Sequence, residues 1–129
     1  MEPVISGTRT LTVTVSAADT AAEVGSGGLP VLATPRLIAL FERAAYELLQ
    51  EKLPEGQSSV GSAIAVLHSA PTPVGLSVTV TATVASVDRR RVDFTLSASD
   101  EAGEIASGTH TRFLIDAEQF LEKANTKKK

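Results

Sequence analysis

One stretch of the chain, residues 32–49, constrains the fold more than any other. Four of its residues form an apolar stripe at helical spacing: Ile38, Phe41, Ala45 and Leu48. Four more apolar residues fill much of the remaining circumference: Leu37, Leu40, Ala44 and Leu49. Because a helix that is apolar nearly all round is covered on most sides, we predict one long central helix on which the rest of the chain packs.

A carboxylate, Glu42, interrupts this apolar helix. Burying a lone charge is costly even after the surroundings relax, so the side chain must be paired, protonated or directed into a cleft. The alternative is that Glu42 and Arg43 emerge together along one narrow wet edge of the helix. The helix by itself leaves both interpretations open.

The composition fits one globular domain spanning residues 1–129, with 43% hydrophobic and 21% charged residues. A net charge of −3 gives no general attraction to nucleic acid or to an anionic membrane, so we expect neither as a partner. No apolar run reaches membrane-spanning length, and the first residues do not match a signal peptide. We therefore expect a cytoplasmic protein.

The chain contains no cysteine, which excludes disulfides, thiolate catalysis and zinc–sulfur sites. Its two histidines, His68 and His110, are too few for a metal site built from histidines alone. We therefore expect no metal and no cofactor.

The chain begins with a strand and a loop before the long helix. Thr8–Val15 alternates polar and apolar residues, which is typical of a half-buried strand. Ser16–Gly28 is small, polar and glycine-rich, and we expect a mobile loop there. Thr34 is predicted to cap the long helix with Pro35 at its first position, and the helix should end near Lys52.

A block of strands follows the helix, separated by turns rich in proline, glycine and aspartate. The four predicted strands are Gln57–His68, Leu76–Val87, Val92–Ala98 and Glu104–Ile115. Asp116 and Gln119 resemble a capping box for a short final helix, Ala117–Ala124. Within residues 122–129 we expect a frayed tail.

One strand before the helix and four after it predict a five-stranded antiparallel sheet wrapped around one long central helix. This is the hotdog architecture, an α+β fold, and another α+β sandwich with the same element order is the alternative. We expect Gly61, Ala63 and Ala65 on the inner face of the second strand, where small side chains let the helix approach. Because the helix covers only one face of the sheet, we expect the domain to pair into dimers.

Several segments, in this order and spacing, resemble the fluoroacetyl-CoA thioesterase family of hotdog proteins. They are Ala33-Thr34, Glu42 eight residues later, and residues 60–68, 68–80 and 105–112. The resemblance runs from about Leu32 to Ile115, and the combination is more specific than any one piece. It implies an acyl-CoA thioester hydrolase that acts as a homodimer or a dimer of dimers.

The resemblance also implies roles for individual residues. Thr34, Glu42 and His68 fall on the catalytic threonine, glutamate and histidine of the family. Gly61 and Arg112 fall on further active-site positions that contact the substrate. Glu42 would then act as a general base or attack the carbonyl directly, and His68 would share its proton or protonate the leaving thiolate.

Each of these residues also has a purely structural interpretation. Thr34 is explained as a helix cap, His68 as the end of a strand, and Gly61 as relief of helix–sheet crowding. Arg112 alternates with His110 and would then lie on the outer face of the sheet. The arginines of residues 89–91 are expected in a solvated turn, with binding of coenzyme A phosphates as the alternative.

The chain departs from the fluoroacetate-specific enzyme in the segment before the helix. That enzyme carries phenylalanines there, which form an apolar lid over the acyl group, whereas Ala21–Leu29 contains no aromatic residue. We therefore predict a thioesterase without selectivity for the fluoroacetyl group.

Helix geometry predicts a shared site. Thr34 and Glu42 are eight residues apart, or about 12 Å along a straight helix, and cannot both reach one carbonyl group. Either the helix starts later than Thr34, or a dimer brings one of the two residues across from the partner subunit, and we expect the second, a shared site at the dimer interface.

Two other functions compete with hydrolysis. A non-catalytic hotdog dimer would bind an acyl-CoA or another apolar ligand without turnover. A hydratase or dehydratase would need an aspartate or histidine in the central helix, and residues 32–52 contain neither.

Overall fold

The computed structural model describes residues 4–128 and contains five strands and three α-helices. The strands are β1 (Thr8–Thr14), β2 (Gln57–His68), β3 (Ser77–Asp88), β4 (Arg91–Asp100) and β5 (Gly103–Asp116). The helices are α1 (Ala21–Val24), α2 (Thr34–Gln50) and α3 (Ala117–Asn125). Within this part of the chain no helix is both long and apolar enough to cross a bilayer.

The strands form one antiparallel sheet in the order β1-β3-β4-β5-β2. Helix α2 packs against β1 and β2, which lie at opposite edges, and also against β3. A single helix contacts both edges only if the sheet curves around it. The predicted α+β hotdog fold, a five-stranded antiparallel sheet around one long helix, is confirmed.

The core lies between α2 and the concave face of the sheet. Its largest fully buried side chains come from both layers: Leu37, Phe41 and Leu49 of α2, and Val78, Val80, Val92, Phe94 and Ile105 of the sheet. The apolar periodicity of residues 32–49 therefore marks the buried surface correctly, and burial of this face is the main stabilising contribution to the domain.

The prediction that Thr34 caps α2 is wrong. The N-cap is Ala33, and Thr34 is the first helical residue. The amide of Ala33 donates to the carbonyl of Asp19, and Arg36 Nε donates to the carboxylate of Asp19 over 2.8 Å. The helix start is thus fixed by a distant segment, and the Thr34 hydroxyl is available for another partner.

The segment predicted as a loop without elements, residues 16–28, contains two short helical pieces. A 3-10 turn, Ala17–Asp19, begins with a capping box between Ser16 and Asp19. Helix α1 follows and ends at Gly25, whose φ of 89° is a left-handed conformation that favours glycine. An isolated bridge connects Thr20 of this segment to Leu32, and a second one just after the segment connects Val31 to Pro73.

A β-bulge in β2 corrects the prediction for its inner face. Gly61 pairs with Arg112 and Ala63 with the next residue of β5, so Ser62 is the extra residue. One extra residue exchanges the two faces of a strand beyond the bulge. Gly61 therefore faces α2 as predicted, but Ala63 and Ala65 are exposed, and the alternate positions beyond the bulge, Ile64, Val66 and His68, face inward.

The C-terminal helix is longer than predicted. Asp116 caps α3 by accepting a hydrogen bond from the amide of Gln119, as predicted. The helix continues to Asn125, so residues 122–125, where we expected a frayed tail to begin, are helical. Lys129 lies outside the described residues.

Candidate active site

The Thr34 hydroxyl and the His68 imidazole form the first group of predicted site residues. Thr34 lies at the start of α2 and His68 at the end of β2, and Thr34 Oγ1 lies 2.7 Å from His68 Nδ1. This contact explains why Thr34 does not cap its helix, because its hydroxyl is bonded to the sheet instead.

The second ring nitrogen of His68 has no partner. Its Nε2 is buried and accepts or donates no hydrogen bond among the described residues. Burial lowers the pKa of His68 below its ordinary value, and the nearby backbone of Ala70 opposes this in part. The ring is therefore neutral at pH 7 and can take up a proton during a reaction.

A cleft of about 660 Å³ lies beside the Thr34–His68 pair. Most of its walls are aliphatic or small: Ala21, Ser26, Val31, Leu32, Pro35, Ile38, Ser69, Ala70 and Pro71. The segment before α2 supplies one side of it, and none of these lining residues is aromatic. The cleft therefore offers an apolar surface next to a polar pair of side chains.

Glu42, Gly61 and Arg112 form the second group. Glu42 Oε2 lies 3.6 Å from Arg112 Nη1, and the exposed fractions of the two side chains are 43% and 7%. Arg43 forms its ion pair with Glu47, so Glu42 and Arg43 both reach solvent but are not partners of each other. Glu42 is held at the surface of the core with one face open to solvent.

Gly61 makes this position of Glu42 possible. A Cβ atom at residue 61 would lie 2.6 Å from Glu42 Oε2, 3.1 Å from His110 Cε1 and 3.3 Å from Arg112 Nη1. Contacts of 2.6 Å do not occur between a methyl group and an oxygen without movement of one of them. Glycine is therefore required by the close approach of the carboxylate.

Arg112 is buried, so its alternative placement on the outer face of the sheet is wrong. Its Nε donates to Ser59 Oγ over 2.8 Å, and its Nη2 donates to the Ser59 carbonyl over 3.0 Å. The guanidinium carbon also lies 5.9 Å from the centre of the Tyr46 ring. Burial lowers the pKa of Arg112, and the Glu42 carboxylate and Tyr46 oppose this, so the group remains charged.

Sequence reasoning missed two members of this group, Ser59 and His110. Both face inward: Ser59 lies two residues before Gly61, and His110 lies two residues before Arg112. Because strand side chains alternate between faces, the period of two was the signal that could have found them.

The two groups are separate within one chain. Since Thr34 lies inside α2, the predicted separation of about 12 Å along the axis applies. The structure brings Thr34 to His68, and Glu42 to Gly61 and Arg112, but it does not bring the two groups together.

Comparison with known proteins gives consistent matches. A model of the fluoroacetyl-CoA-specific thioesterase family matches residues 15–118. The fluoroacetyl-CoA thioesterase of Streptantibioticus cattleyicolor is 44% identical over 97 residues, which are 75% of this chain and 70% of that protein.

Two solved structures extend the likeness to the fold. A variant of the fluoroacetyl-CoA-specific thioesterase FlK, in complex with fluoroacetate and CoA, has a TM-score of 0.85 and 36% identity over 91% of this chain and 98% of that one. A hot-dog-like protein from Thermanaerovibrio acidaminovorans has a TM-score of 0.89 and 28% identity over 97% and 93% of the two chains. The family match and the shared fold together place this chain in the fluoroacetyl-CoA-specific thioesterase family of hotdog proteins.

Proposed function

We propose that this chain hydrolyses acyl-CoA thioesters. The observation that carries the proposal is Glu42, a carboxylate held half-exposed beside Gly61 by a buried arginine whose position does not depend on it. Ser59 accepts hydrogen bonds from Nε and Nη2 of Arg112, and His110 Nε2 lies 3.2 Å from Nη1, so all three nitrogens have a partner without an ion pair to Glu42. A carboxylate in this setting can reach a substrate or a water molecule, because it is not enclosed in a buried ion pair. The CoA complex of FlK supports a CoA thioester as the substrate class.

In this reaction Glu42 acts on the thioester carbonyl. As a general base it takes a proton from water, which attacks the carbonyl carbon; as a nucleophile it forms an anhydride that water then cleaves. Either route produces an oxyanion and then breaks the carbon–sulfur bond. Because Gly61 has no side chain, the Glu42 carboxylate can lie close against β2, next to the backbone N–H that a carbonyl group can approach.

The Thr34–His68 pair is assigned to the leaving group. A neutral His68, hydrogen-bonded to Thr34, takes up the proton that the attacking water loses, directly in the anhydride route or from Glu42 in the general-base route, and passes it to the departing thiolate. Arg112 keeps a positive charge near the developing negative charge. These roles need the two groups of residues to meet around one thioester.

A homodimer formed through β2 would bring the two groups together. Strand β2 lies at an edge of the sheet and contains twelve residues, none of them a proline, lysine, arginine or acidic residue. Its outward side chains are small or apolar, and Leu67 is 69% exposed. Edge strands that lack such protection pair readily with another strand.

The register of such a pairing can be worked out from the sequence. If two β2 strands pair antiparallel about a twofold axis through Ala65, with Ser62 bulged out of each strand, Gly61 lies opposite His68 of the partner subunit. Paired strands are about 4.8 Å apart, which replaces the separation of about 12 Å within one chain. Gly61 and His68 both face inward because the bulge at Ser62 lies between them. Each active site would then combine Glu42 of one subunit with Thr34 and His68 of the other.

Mixing two inactive variants tests this composite site. Glu42→Gln and His68→Ala are each expected to abolish turnover, and subunit exchange between them produces hybrid dimers. Half of a random mixture is hybrid, and each hybrid has one intact site, so about a quarter of the wild-type activity should return. A mixture that recovers no activity, or a wild type that light scattering shows to be a monomer at micromolar concentration, would refute the composite site. The same light-scattering measurement distinguishes a dimer from a dimer of dimers.

Release of free thiol from a panel of acyl-CoAs tests hydrolysis itself. Tight binding of acyl-CoA without thiol release would instead establish the alternative, a non-catalytic hotdog dimer. The cleft beside Thr34 is walled by small and aliphatic residues, which supports a broad acyl range without fluoroacetyl selectivity. A cytoplasmic location stays a prediction from the sequence, which cell fractionation would test.

A further inference from the structure

The second histidine of the chain, His110, has no part in the reaction proposed above. It lies on β5, is 2% exposed, and stacks on Phe94 with the ring centres 6.0 Å apart. Its two nitrogens have different partners. Nδ1 lies 2.8 Å from the carbonyl oxygen of Ala63, and Nε2 lies 3.2 Å from Arg112 Nη1.

These partners fix the protonation state of the ring. A carbonyl oxygen only accepts hydrogen bonds, so His110 Nδ1 must carry a proton. A guanidinium only donates, so Nε2 must carry a lone pair. The imidazole is therefore neutral and in a single tautomer, with one nitrogen bound to the backbone of β2 and the other to Arg112.

His110 completes the support of Arg112. Ser59 accepts from Nε and Nη2 of the guanidinium, and His110 accepts from Nη1, the nitrogen nearest to Glu42. At 3.6 Å, Glu42 Oε2 lies beyond ordinary hydrogen-bond distance from that nitrogen. Ser59 and His110 together therefore orient the guanidinium, with Nη1 directed at His110, and Glu42 interacts with that nitrogen through its charge.

We propose that His110 is a positioning residue for the thioesterase reaction, an inference that rests on the proposed function. Its Nε2 lone pair holds Arg112 Nη1 in place, and Arg112 in turn keeps the Glu42 carboxylate beside Gly61. Loss of this acceptor leaves a buried donor of Arg112 without a partner, and the guanidinium then turns toward Glu42 and binds the carboxylate that the reaction needs free.

The charged and titratable groups around His110 agree with a neutral ring. Helix α2 contributes Glu42, and Tyr46 beyond it faces Arg112; β5 contributes Arg112 itself, while the contacts from β2 and β4 are the uncharged Gly61, Ala63 and Phe94. Burial lowers the pKa of His110 most, Arg112 lowers it further, and the Ala63 carbonyl and Glu42 oppose this. A protonated ring would direct an N–H group at the N–H group of Arg112.

Two substitutions separate the two hydrogen bonds of the ring. In His110→Gln the side-chain oxygen reaches the place of Nε2 and accepts from Arg112. In His110→Asn the amide nitrogen replaces Nδ1 and donates to Ala63, but nothing accepts from Arg112. We expect His110→Gln to keep kcat within about threefold of the wild type, and His110→Asn to lower kcat by about tenfold or more with a smaller change in KM.

The result that overturns the proposal is an equal loss of kcat in both variants, or a larger loss in His110→Gln. A wild type that releases no thiol from any acyl-CoA would instead refute the proposed function, so the two failures are distinguishable.

A measurement on the wild type is independent of how well the variants fold. Spectra of protein labelled with 15N at histidine contain only His68 and His110, and His68→Gln assigns them. We expect His110 to keep its proton on Nδ1 and a lone pair on Nε2 through the neutral pH range. A protonated Nε2 at neutral pH would overturn the proposal.

Discussion

Replacing Gly61 by alanine should remove activity without removing the fold. The new methyl carbon would lie 2.6 Å from Glu42 Oε2, where an ordinary carbon–oxygen contact is about 3.4 Å, so one of them must move by about 0.8 Å. Glu42 Oε2 is the end of a flexible side chain that is 43% exposed, and it can swing toward solvent. The backbone of residue 61 is not in the left-handed region, so alanine is compatible with its conformation.

The two consequences have different magnitudes. Displacing a catalytic group by about 1 Å costs about a hundredfold in rate, so kcat should fall by roughly that factor. Stability should change little, because a glycine-to-alanine exchange at a compatible position gains about 0.4–1 kcal/mol from the unfolded chain and offsets the crowding. Thiol release from acetyl-CoA and thermal unfolding followed by circular dichroism measure these two quantities.

Gly108 provides the matched control on the neighbouring strand. A Cβ atom there would meet the backbone carbonyl of Ala65, which is fixed by the pairing of β2 with β5. Gly108→Ala should therefore lower the melting temperature clearly, whereas Gly61→Ala should not. A role for Glu42 at Gly61 would be refuted if Gly61→Ala kept kcat within threefold of the wild type, or if it unfolded as readily as Gly108→Ala.

Three further predictions follow from the site. Glu42→Gln should lower kcat by about a hundredfold or more, with only a small loss of stability because its ion pair with Arg112 is long and partly solvated. Adding His68→Ala to this variant should lower kcat little further. Effects on kcat that multiply in the double variant would contradict coupling between Glu42 and His68. The ratio of kcat/KM for fluoroacetyl-CoA to that for acetyl-CoA should stay below about a hundredfold, or about 2.7 kcal/mol, and a larger ratio would show that another element discriminates. Burial lowers the pKa of His68 and His110 in the folded state, so below the ordinary pKa of 6.5 the unfolded chain binds more protons than the folded one. The contribution of the two histidines to the free energy of unfolding should therefore be fully present above that pH and decrease below it. His68→Gln should reduce that slope in melting temperatures measured across the range, and an unchanged slope would exclude a contribution from His68.

The order and type of most elements could be predicted from the sequence because their causes are local. The apolar spacing of residues 32–49 identifies α2, and alternation with intervening turns identifies the strands, whose ends fall within a few residues of the predictions. Five residues were assigned to the family's active site from motif order and spacing alone, and that assignment stays a prediction. Their catalytic roles stay predictions.

Tertiary structure decided which way several of these residues face. Ser62 becomes a bulge only when β2 pairs with β5, and that pairing turns Ala63 outward and His68 inward. Thr34 precedes a proline as a helix cap often does, but the contact between Asp19 and Arg36 fixes the start of the helix, and the Thr34 hydroxyl forms a hydrogen bond with His68. A local pattern cannot predict a hydrogen bond between residues thirty or more positions apart.

The group formed by Glu42, Gly61 and Arg112 shows most clearly what the sequence determines and what the tertiary structure determines. The residue pattern supplied Glu42 in an apolar helix and Arg112 in a strand, and only the resemblance to the family indicated that the two share a site. Packing of α2 on the sheet brought the carboxylate to Gly61, and strand alternation placed Ser59 and His110 around Arg112. The identities of the reactive groups are thus determined by the sequence, and their geometry is determined by the tertiary structure, because each contact joins side chains from different elements.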